Sequence, residues 1–584
     1  MTLTEPAPSA KADYAAFSDT DRKGLDAVIA ELAVGEKAWS KLSLADRAAL
    51  LGRVHAAVAD AAKDWAETAS EIKGLDPRSQ AVGEEWISGP YPVLTGAGML
   101  AHTVQALVQK KSPLAGVKFG TAPGRRVTVP VLPYSAHEAI LLHGFSAEVW
   151  MPPGIGASTV LSHAGLAEHR PSLTQGIGLV LGAGNITSIP PLDVLYELVA
   201  NNRVVLLKLN PVMAKMGSVY SRALAPLIAA NVLRIVQGGA EAGSYLAHHP
   251  SISHVHITGS AATHDVVVYG PGQEGRERKA ARTPLLDKPI TSELGGVAPI
   301  IIVPGNWTKN DLRYQAEHVA TMRLHNGGYN CIAGQIVLLS SDWKQKKQFL
   351  DELRSALERT PPRTAWYPGS DDRVAQAHEA YPNAERHGDS GGRLLIDIEA
   401  GDDASAIQTT EYFSPVLGVI ELPGTGKKFL DAAVATANDE LLGTLGANII
   451  AGPKDIKSMR NGFREAIANL HYGTIGVNAW TGVGFLTAAA PWGAFPGHTL
   501  DDAQSGRGFV HNALLISEPE RTVVKGPFRP FPRSFAHGEF ALFPKPPWFV
   551  TSRSAQSTGR LLSGFAAKPG WLRMPAVFGA AFRA

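Results

Sequence analysis

Cys331 is the only cysteine among 584 residues. No internal disulfide can form, and no multi-cysteine zinc site either. The residue stands in HNGGYNCIAGQIVLLS (325–340), where Gly327 and Gly328 permit close backbone approach and a strand is predicted to begin just after the thiol. A cysteine at such a junction has two readings. It is a small buried hydrophobe, or it is a nucleophile whose thiolate is backed by backbone N–H groups. Glu293, in TSELGGVAPIIIV (291–303), sits beside a glycine pair at the mouth of an apolar strand. It is either a solvated turn residue or a general base tuned by burial. Asn185, in LVLGAGNITSIPPLDVL (179–195), follows a Gly-rich turn. Its amide either donates to a developing oxyanion or closes an Asx turn. The GAG before it lacks the full spacing of a dinucleotide-binding glycine loop.

These three residues must be positioned by regular elements. Apolar residues at helical spacing (Leu25, Val28, Ile29, Leu32; Leu50, Leu51, Val54, Val58) predict helices over 13–75, and 80–112 continues in the same style. Strands are predicted at 125–133 and 147–151. From residue 175 short apolar strands alternate with helices: GIGLVLGAGN (176–185), VVLLKLN (204–210), VLRIVQGG (232–239) and HVHITGS (254–260). That alternation predicts an α/β fold with a parallel, doubly wound sheet. PIIIV (299–303) and QIVLLS (335–340), with helices over 309–326 and 342–358, predict a second α/β region. The basic stretch 270–284 reads as a surface loop, and the Pro- and aromatic-rich chain beyond about 521 as mostly irregular.

Composition restricts the function classes. With 45% hydrophobic and 18% charged residues the chain is globular rather than disordered. A net charge of +2 gives no nucleic-acid signature. No apolar run reaches the roughly 18 residues that a membrane-spanning helix needs. The N-terminal stretch carries no basic-then-apolar secretory pattern, so a cytoplasmic location is expected. Charge is uneven, however. Residues 521–584 hold ten Lys or Arg against one Glu, while the rest of the chain is net acidic. This basic aromatic-rich extension is expected to pack at a subunit interface, with an anionic membrane surface as the second reading. His248, His249, His254 and His256 read as strand and loop positions rather than metal ligands, and no metal site is expected.

The three strings, in this order, resemble the aldehyde dehydrogenase superfamily. VVLLKLNP (204–211), HVHITGSAATH (254–264), TTEYFSPVLGVIEL (409–422) and PWGAFPGHTLDDAQSGRG (491–508) add to the resemblance, which covers roughly residues 15–520. Asn185 lies 23 residues before Lys208 and Glu293 lies 38 before Cys331, separations similar to the family's. The resemblance implies that Cys331 is the nucleophile, Asn185 an oxyanion donor and Glu293 the base that activates water. It implies NAD or NADP as cofactor, with Lys208 at the adenosine ribose, Gly259 and Ser260 at the pyrophosphate, Glu411 at the nicotinamide ribose and Phe413 beside it. Two departures stand out. Gly184 replaces a frequent Trp, which suggests a more open or differently shaped aldehyde channel. Pro211 replaces an acid that grips the ribose of NAD, which leaves room for NADP.

The expected domains are a discontinuous NAD(P)-binding domain (1–144 and 175–292), an oligomerisation hairpin (145–174), a catalytic domain (293–490), a returning segment with an oligomerisation strand (491–520) and the extension (521–584). The expected assembly is a homodimer or homotetramer. The expected reaction is oxidation of an aldehyde to a carboxylic acid through a cysteine thiohemiacetal and a thioester. A CoA-acylating dehydrogenase or acyl-CoA reductase is the first alternative, and a non-catalytic scaffold the second.

Overall fold

The computed structural model describes residues 17–399 and 401–584. The N-terminal stretch examined for a secretory pattern lies outside the described residues, apart from Phe17.

Among the described residues, apolar strands and helices build two large sheets, besides the small pair Pro491–Trp492 with Val510–His511. The first has five parallel strands in the order Ile290–Leu294, Ile252–Gly259, Ile177–Leu181, Val204–Lys208, Leu233–Val236, with Gly506–Arg507 closing one edge antiparallel. The chain enters at Ile177–Leu181, steps outward twice, then crosses back to Ile252–Gly259. Strand order therefore reverses between these two central strands, and ligands of doubly wound sheets bind outside the carboxyl ends at such a point. Asn185 follows the end of one of these strands, and Gly259 and Ser260 end the other. The helices Asp19–Trp39, Leu44–Ile72, Pro90–Val108 and Ile189–Val199 share a single apolar core with this sheet. Ser18 and Ser43 cap the first two, each accepting a backbone N–H of the first turn.

The second sheet has eleven strands. Its parallel centre runs Arg521–Lys525, Thr474–Val477, Gly446–Ile450, Ala298–Ile302, Gly334–Ser340, Val416–Leu422, Arg393–Ile398. Strands Ala298–Ile302, Gly334–Ser340 and Gly446–Ile450 are buried throughout, which matches their near-continuous apolar sequences. Gly295 and Gly296 carry the chain from Glu293 in the first sheet into the second.

Three expectations are corrected. Residues 270–284 contain the helix Gly272–Ala280 rather than a loop. Local pairs sustain it, Arg278 with Glu274 at 2.9 Å and Gln273 with Glu277 at 3.0 Å, and Lys279 anchors it to Asp265 at 2.7 Å. Segment 145–174 is not a hairpin. It holds the strand Ser146–Trp150 and then the helix Ala157–His163. That strand pairs antiparallel with Arg126–Leu132 on one side and Arg521–Lys525 on the other, so its hydrogen bonds are satisfied within the chain. The extension is only partly irregular: 526–554 is mostly without regular structure, as expected, but regular elements stand on either side of it. After the strand Arg521–Lys525 come the helices Arg533–Ala536, Ala555–Ala567 and Met574–Ala581. Ala555–Ala567 packs across Val82–Ile87, where Gly559 lies close against the Gly83 carbonyl.

Candidate active site

The catalytic cysteine expected from sequence lies where the helix Lys309–Leu324 gives way to the strand Gly334–Ser340. The turn between them is tight. Asn326 has φ 55° and Gly327 and Gly328 have φ 69° and 89°, left-handed backbone that glycine and asparagine accommodate best. Cys331 is half-buried and its Sγ donates to Glu293 Oε1 at 3.0 Å. The Trp492 indole donates to the same oxygen at 3.0 Å. Burial raises the Glu293 carboxyl to about 7, and the nearby Asp193 charge adds to this, against the two hydrogen bonds. Burial also pushes the Cys331 thiol well above its usual value, helped by the Glu293 charge. The thiol and the carboxyl thus share one proton in a largely dry place, the condition for handing that proton over as a reaction proceeds.

Asn185 is buried and donates through Nδ2 to the Tyr329 carbonyl at 3.0 Å, two residues before the cysteine. This bond uses one of the two amide hydrogens and holds the side chain against the catalytic turn. At Gly184 a Cβ would meet the Asn210 carboxamide at 2.7 Å, so Asn210 fills the space beside this glycine. Glu411 belongs to the same charge cluster, since the Glu293 charge, after burial, raises it to about 8. Its Oε1 is buried with no hydrogen-bond partner, and Gly295 leaves the room it occupies. Phe413 stands edge-on to Tyr367, with ring centroids 5.0 Å apart, beside Tyr329. Ser414 is buried, with Oγ 3.4 Å from Ser370 Oγ.

Lys208, Gly259 and Ser260 lie apart from the thiol, at the carboxyl ends of the first sheet. Lys208 is mostly buried and burial lowers it to about 8. Ser260 caps the helix Ala261–Tyr269, accepting from the Thr263 N–H at 3.1 Å, while Gly259 and Ser260 themselves remain exposed. A helix N-terminus at a strand-order reversal suits a phosphate. The open Glu411 oxygen suits a hydroxyl donor.

Several positioning residues carried no motif. Lys73 donates to Glu85 and to Asn326 Oδ1, both at 2.8 Å, and Glu84 accepts the Asn326 backbone N–H at 2.6 Å. Arg363 pairs with Glu84 and donates to the Val550 carbonyl at 3.3 Å. The turn that carries Cys331 is therefore held from behind by buried charges on the N-terminal helices, and these helices are in turn packed by the extension. The clearest signal in the sequence is charge within otherwise buried helices, as at Glu84-Glu85 in VGEEWI.

Residues 188–371 match the sequence model of the aldehyde dehydrogenase family. Among solved structures, the chain is similar to gamma-glutamyl-gamma-aminobutyraldehyde dehydrogenase from Burkholderia cenocepacia, at 20% identity and TM-score 0.55 over 86% of this chain and 88% of that one. It is similar to a mutant aldehyde dehydrogenase C from Pseudomonas syringae bound to NAD+ and octanal, at 18% identity and TM-score 0.55 over 87% and 90%. A third is the NADP-dependent glyceraldehyde-3-phosphate dehydrogenase from Bacillus halodurans complexed with NADP, at 18% identity and TM-score 0.55 over 86% and 91%. These likenesses establish a shared fold over most of the chain.

Proposed function

We propose that this chain is an aldehyde dehydrogenase that oxidises an aldehyde to a carboxylic acid with NAD or NADP, a reading supported by the family match over residues 188–371 and by the shared fold. The observation that carries the reading is the Cys331 thiol donating to a buried carboxyl at 3.0 Å, beside an Asn amide and at the seam of two α/β sheets. Glu293 takes the thiol proton as sulfur bonds to the aldehyde carbon. The carbonyl oxygen becomes an oxyanion, stabilised by the free hydrogen of the Asn185 amide and the Cys331 backbone N–H. Lys208, Gly259, Ser260 and Glu411 are the residues that would hold a nicotinamide dinucleotide, which when bound supplies the hydride acceptor. A thioester on Cys331 then needs water. Glu293, with a pKa near the working pH, gives the thiol's proton up to solvent and then takes one from water as the water oxygen bonds to the thioester carbon; the C–S bond breaks to release the carboxylic acid, and the Cys331 thiolate takes that proton back from Glu293. Pro211 presents no acid toward a 2′-phosphate, which supports NADP as well as NAD.

The test follows near-ultraviolet absorbance of reduced nicotinamide with a panel of aliphatic and aromatic aldehydes, using NAD and then NADP. Wild type is expected to reduce cofactor without CoA, and Cys331→Ala to lose that activity. Reduction only after CoA is added would replace this reading by the acylating one. Wild-type activity that survives Cys331→Ala would overturn the thiol mechanism.

A further inference from the structure

Asn326 stands in the left-handed turn before Cys331 and is buried. Its carboxamide oxygen accepts from Lys73 Nζ at 2.8 Å, which leaves the other end of the amide as the donor. Nδ2 donates to the Tyr329 carbonyl at 3.1 Å, and to the Asn185 carbonyl and Asn330 Oδ1 at 3.3 Å each. The Asn185 side chain donates to the same Tyr329 carbonyl at 3.0 Å. One carboxamide therefore grips the backbone of Asn185 and shares an acceptor with its side chain. The ammonium at the oxygen end polarises that amide and strengthens its donation. The Asn326 backbone N–H donates to Glu84 at 2.6 Å, and Lys73 donates to Glu85 at 2.8 Å, so both ends of the residue are tied to the helix Val82–Ile87.

That helix is seated on the C-terminal extension. Gly83 and Gly559 let it cross Ala555–Ala567 closely. A Cβ on Gly83 would fall on the Ala555 carbonyl, and one on Gly559 would meet the Gly83 carbonyl at 2.8 Å. Ser563 Oγ donates to the Trp86 carbonyl at 3.2 Å, and the Gln556 backbone N–H donates to Gln80 Oε1 at 3.2 Å. Arg363, paired with Glu84, donates to the Val550 carbonyl at 3.3 Å. Each step from the extension to Asn185 is thus a hydrogen bond, an ion pair or direct packing.

We propose that Asn326 is the positioning residue for the Asn185 oxyanion donor, and that the extension holds Asn326 in place through Val82–Ile87. The inference rests on the reading of Cys331 as the nucleophile and Asn185 as its oxyanion donor. When Val82–Ile87 shifts on its seat, Glu84 and Glu85 carry Asn326 with them, and the free hydrogen of the Asn185 amide leaves the place where the oxyanion forms. A displacement of about 1 Å in such a group costs on the order of a hundredfold in rate. The extension, remote from the thiol in sequence, thereby becomes a working part of the site.

The test uses full-length wild type, Asn326→Gly, Gly559→Ala and Asn185→Ala, and compares two reactions of the only cysteine in the chain. Acylation by p-nitrophenyl acetate passes through an oxyanion: sulfur bonds to the carbonyl carbon, Glu293 takes the thiol proton, and p-nitrophenolate leaves. Alkylation by iodoacetamide displaces iodide at a saturated carbon and forms no oxyanion. Asn326→Gly keeps the left-handed turn and removes the carboxamide. Gly559→Ala favours its helix and adds only the Cβ that crowds the Gly83 carbonyl. Acylation is expected to slow by about tenfold in Asn326→Gly and about threefold in Gly559→Ala, with alkylation within about twofold of wild type. On an Asn185→Ala background neither substitution should slow acylation further, because both act through Asn185. Acylation and alkylation slowed alike, or a further loss on that background, would overturn the inference. Unchanged acylation in Gly559→Ala would overturn the part given to the extension, and in Asn326→Gly the positioning role itself. Should Asn326→Gly fail to fold, Gly559→Ala decides by the same criteria. Acylation of Asn185→Ala at the wild-type rate would overturn the oxyanion assignment and the inference together. The expected acylation pattern without reduction of nicotinamide by any aldehyde would overturn only the dehydrogenase reading.

Discussion

At the scale of the residue, the site depends on an acid kept out of water. Glu293 has an ordinary carboxyl pKa near 4.5 when unfolded and about 7 in the fold. The folded protein therefore keeps a proton that the unfolded chain gives up, so this group costs stability as pH rises from 4.5, and the cost is complete above about 7. Glu293→Gln preserves the acceptor oxygen for Cys331 and Trp492 while removing the charge. The variant is expected to be more stable than wild type at pH 8 by about 1–3 kcal/mol, with the gap closing toward pH 5, in paired thermal or urea melts. Its deacylation should be lost at every pH, whereas that of wild type should fall only as pH drops below about 7. A Glu293→Gln protein less stable than wild type at pH 8 would mean that the carboxylate is a structural partner rather than a strained base.

At the scale of the element, the turn that carries Cys331 is fixed by groups remote from it in sequence. Lys73 at the end of the helix Leu44–Ile72 is fully buried between Glu85 and Asn326, with its ammonium 4.9 Å from the Trp366 ring. Lys73→Met would strand the Glu85 carboxylate, whose pKa burial already raises against the pull of Lys73. The loss expected is about 3–5 kcal/mol by urea denaturation, recovered in part when Glu85→Gln is added, because the buried charge then disappears with its partner. Glycine pairs beside strands draw attention to Cys331 and Glu293 in the sequence, but there each keeps a bland alternative, and their proposed roles come from the family resemblance. The doubly wound sheet was legible because apolar strands and helices alternate from 175 onward. Lys73, Glu84 and Asp193 were not, because their partners lie on other elements and local spacing carries no trace of them. His254 and His256 stand on alternate strand positions and were read as such. Their pairing with Glu197 and Asp193 depends on how a helix crosses the sheet, and pattern alone does not specify that crossing.

At the scale of the whole molecule, the segments expected to form an oligomerisation arm pair within the chain: Ser146–Trp150 inside the eleven-stranded sheet, Gly506–Arg507 on the edge of the first sheet, and Pro491–Trp492 with Val510–His511. The extension carries a group of exposed large apolar side chains. Phe535, Phe540, Trp571, Leu572 and Phe582 are exposed there, Leu572 by 97%. Phe531 touches both Phe535 and Phe582, at 5.6 Å between centroids, so much of this apolar surface is continuous. Lys568, Arg573 and Arg583 are exposed nearby, and no acidic residue follows Glu539. Two copies meeting face to face would bring like charges together, whereas an anionic bilayer meets both the aromatics and the cations favourably. Full-length protein is therefore expected to co-sediment with vesicles containing phosphatidylglycerol but not with pure phosphatidylcholine, to be released by salt, and to lose binding in a Trp571→Ser, Leu572→Ser double variant. Both substitutions sit on exposed positions, so aldehyde oxidation in solution should be unchanged by them. Equal sedimentation of wild type and variant would remove the membrane reading. A concentration-dependent sedimentation coefficient that the same two substitutions abolish would assign this face to a second copy of the chain.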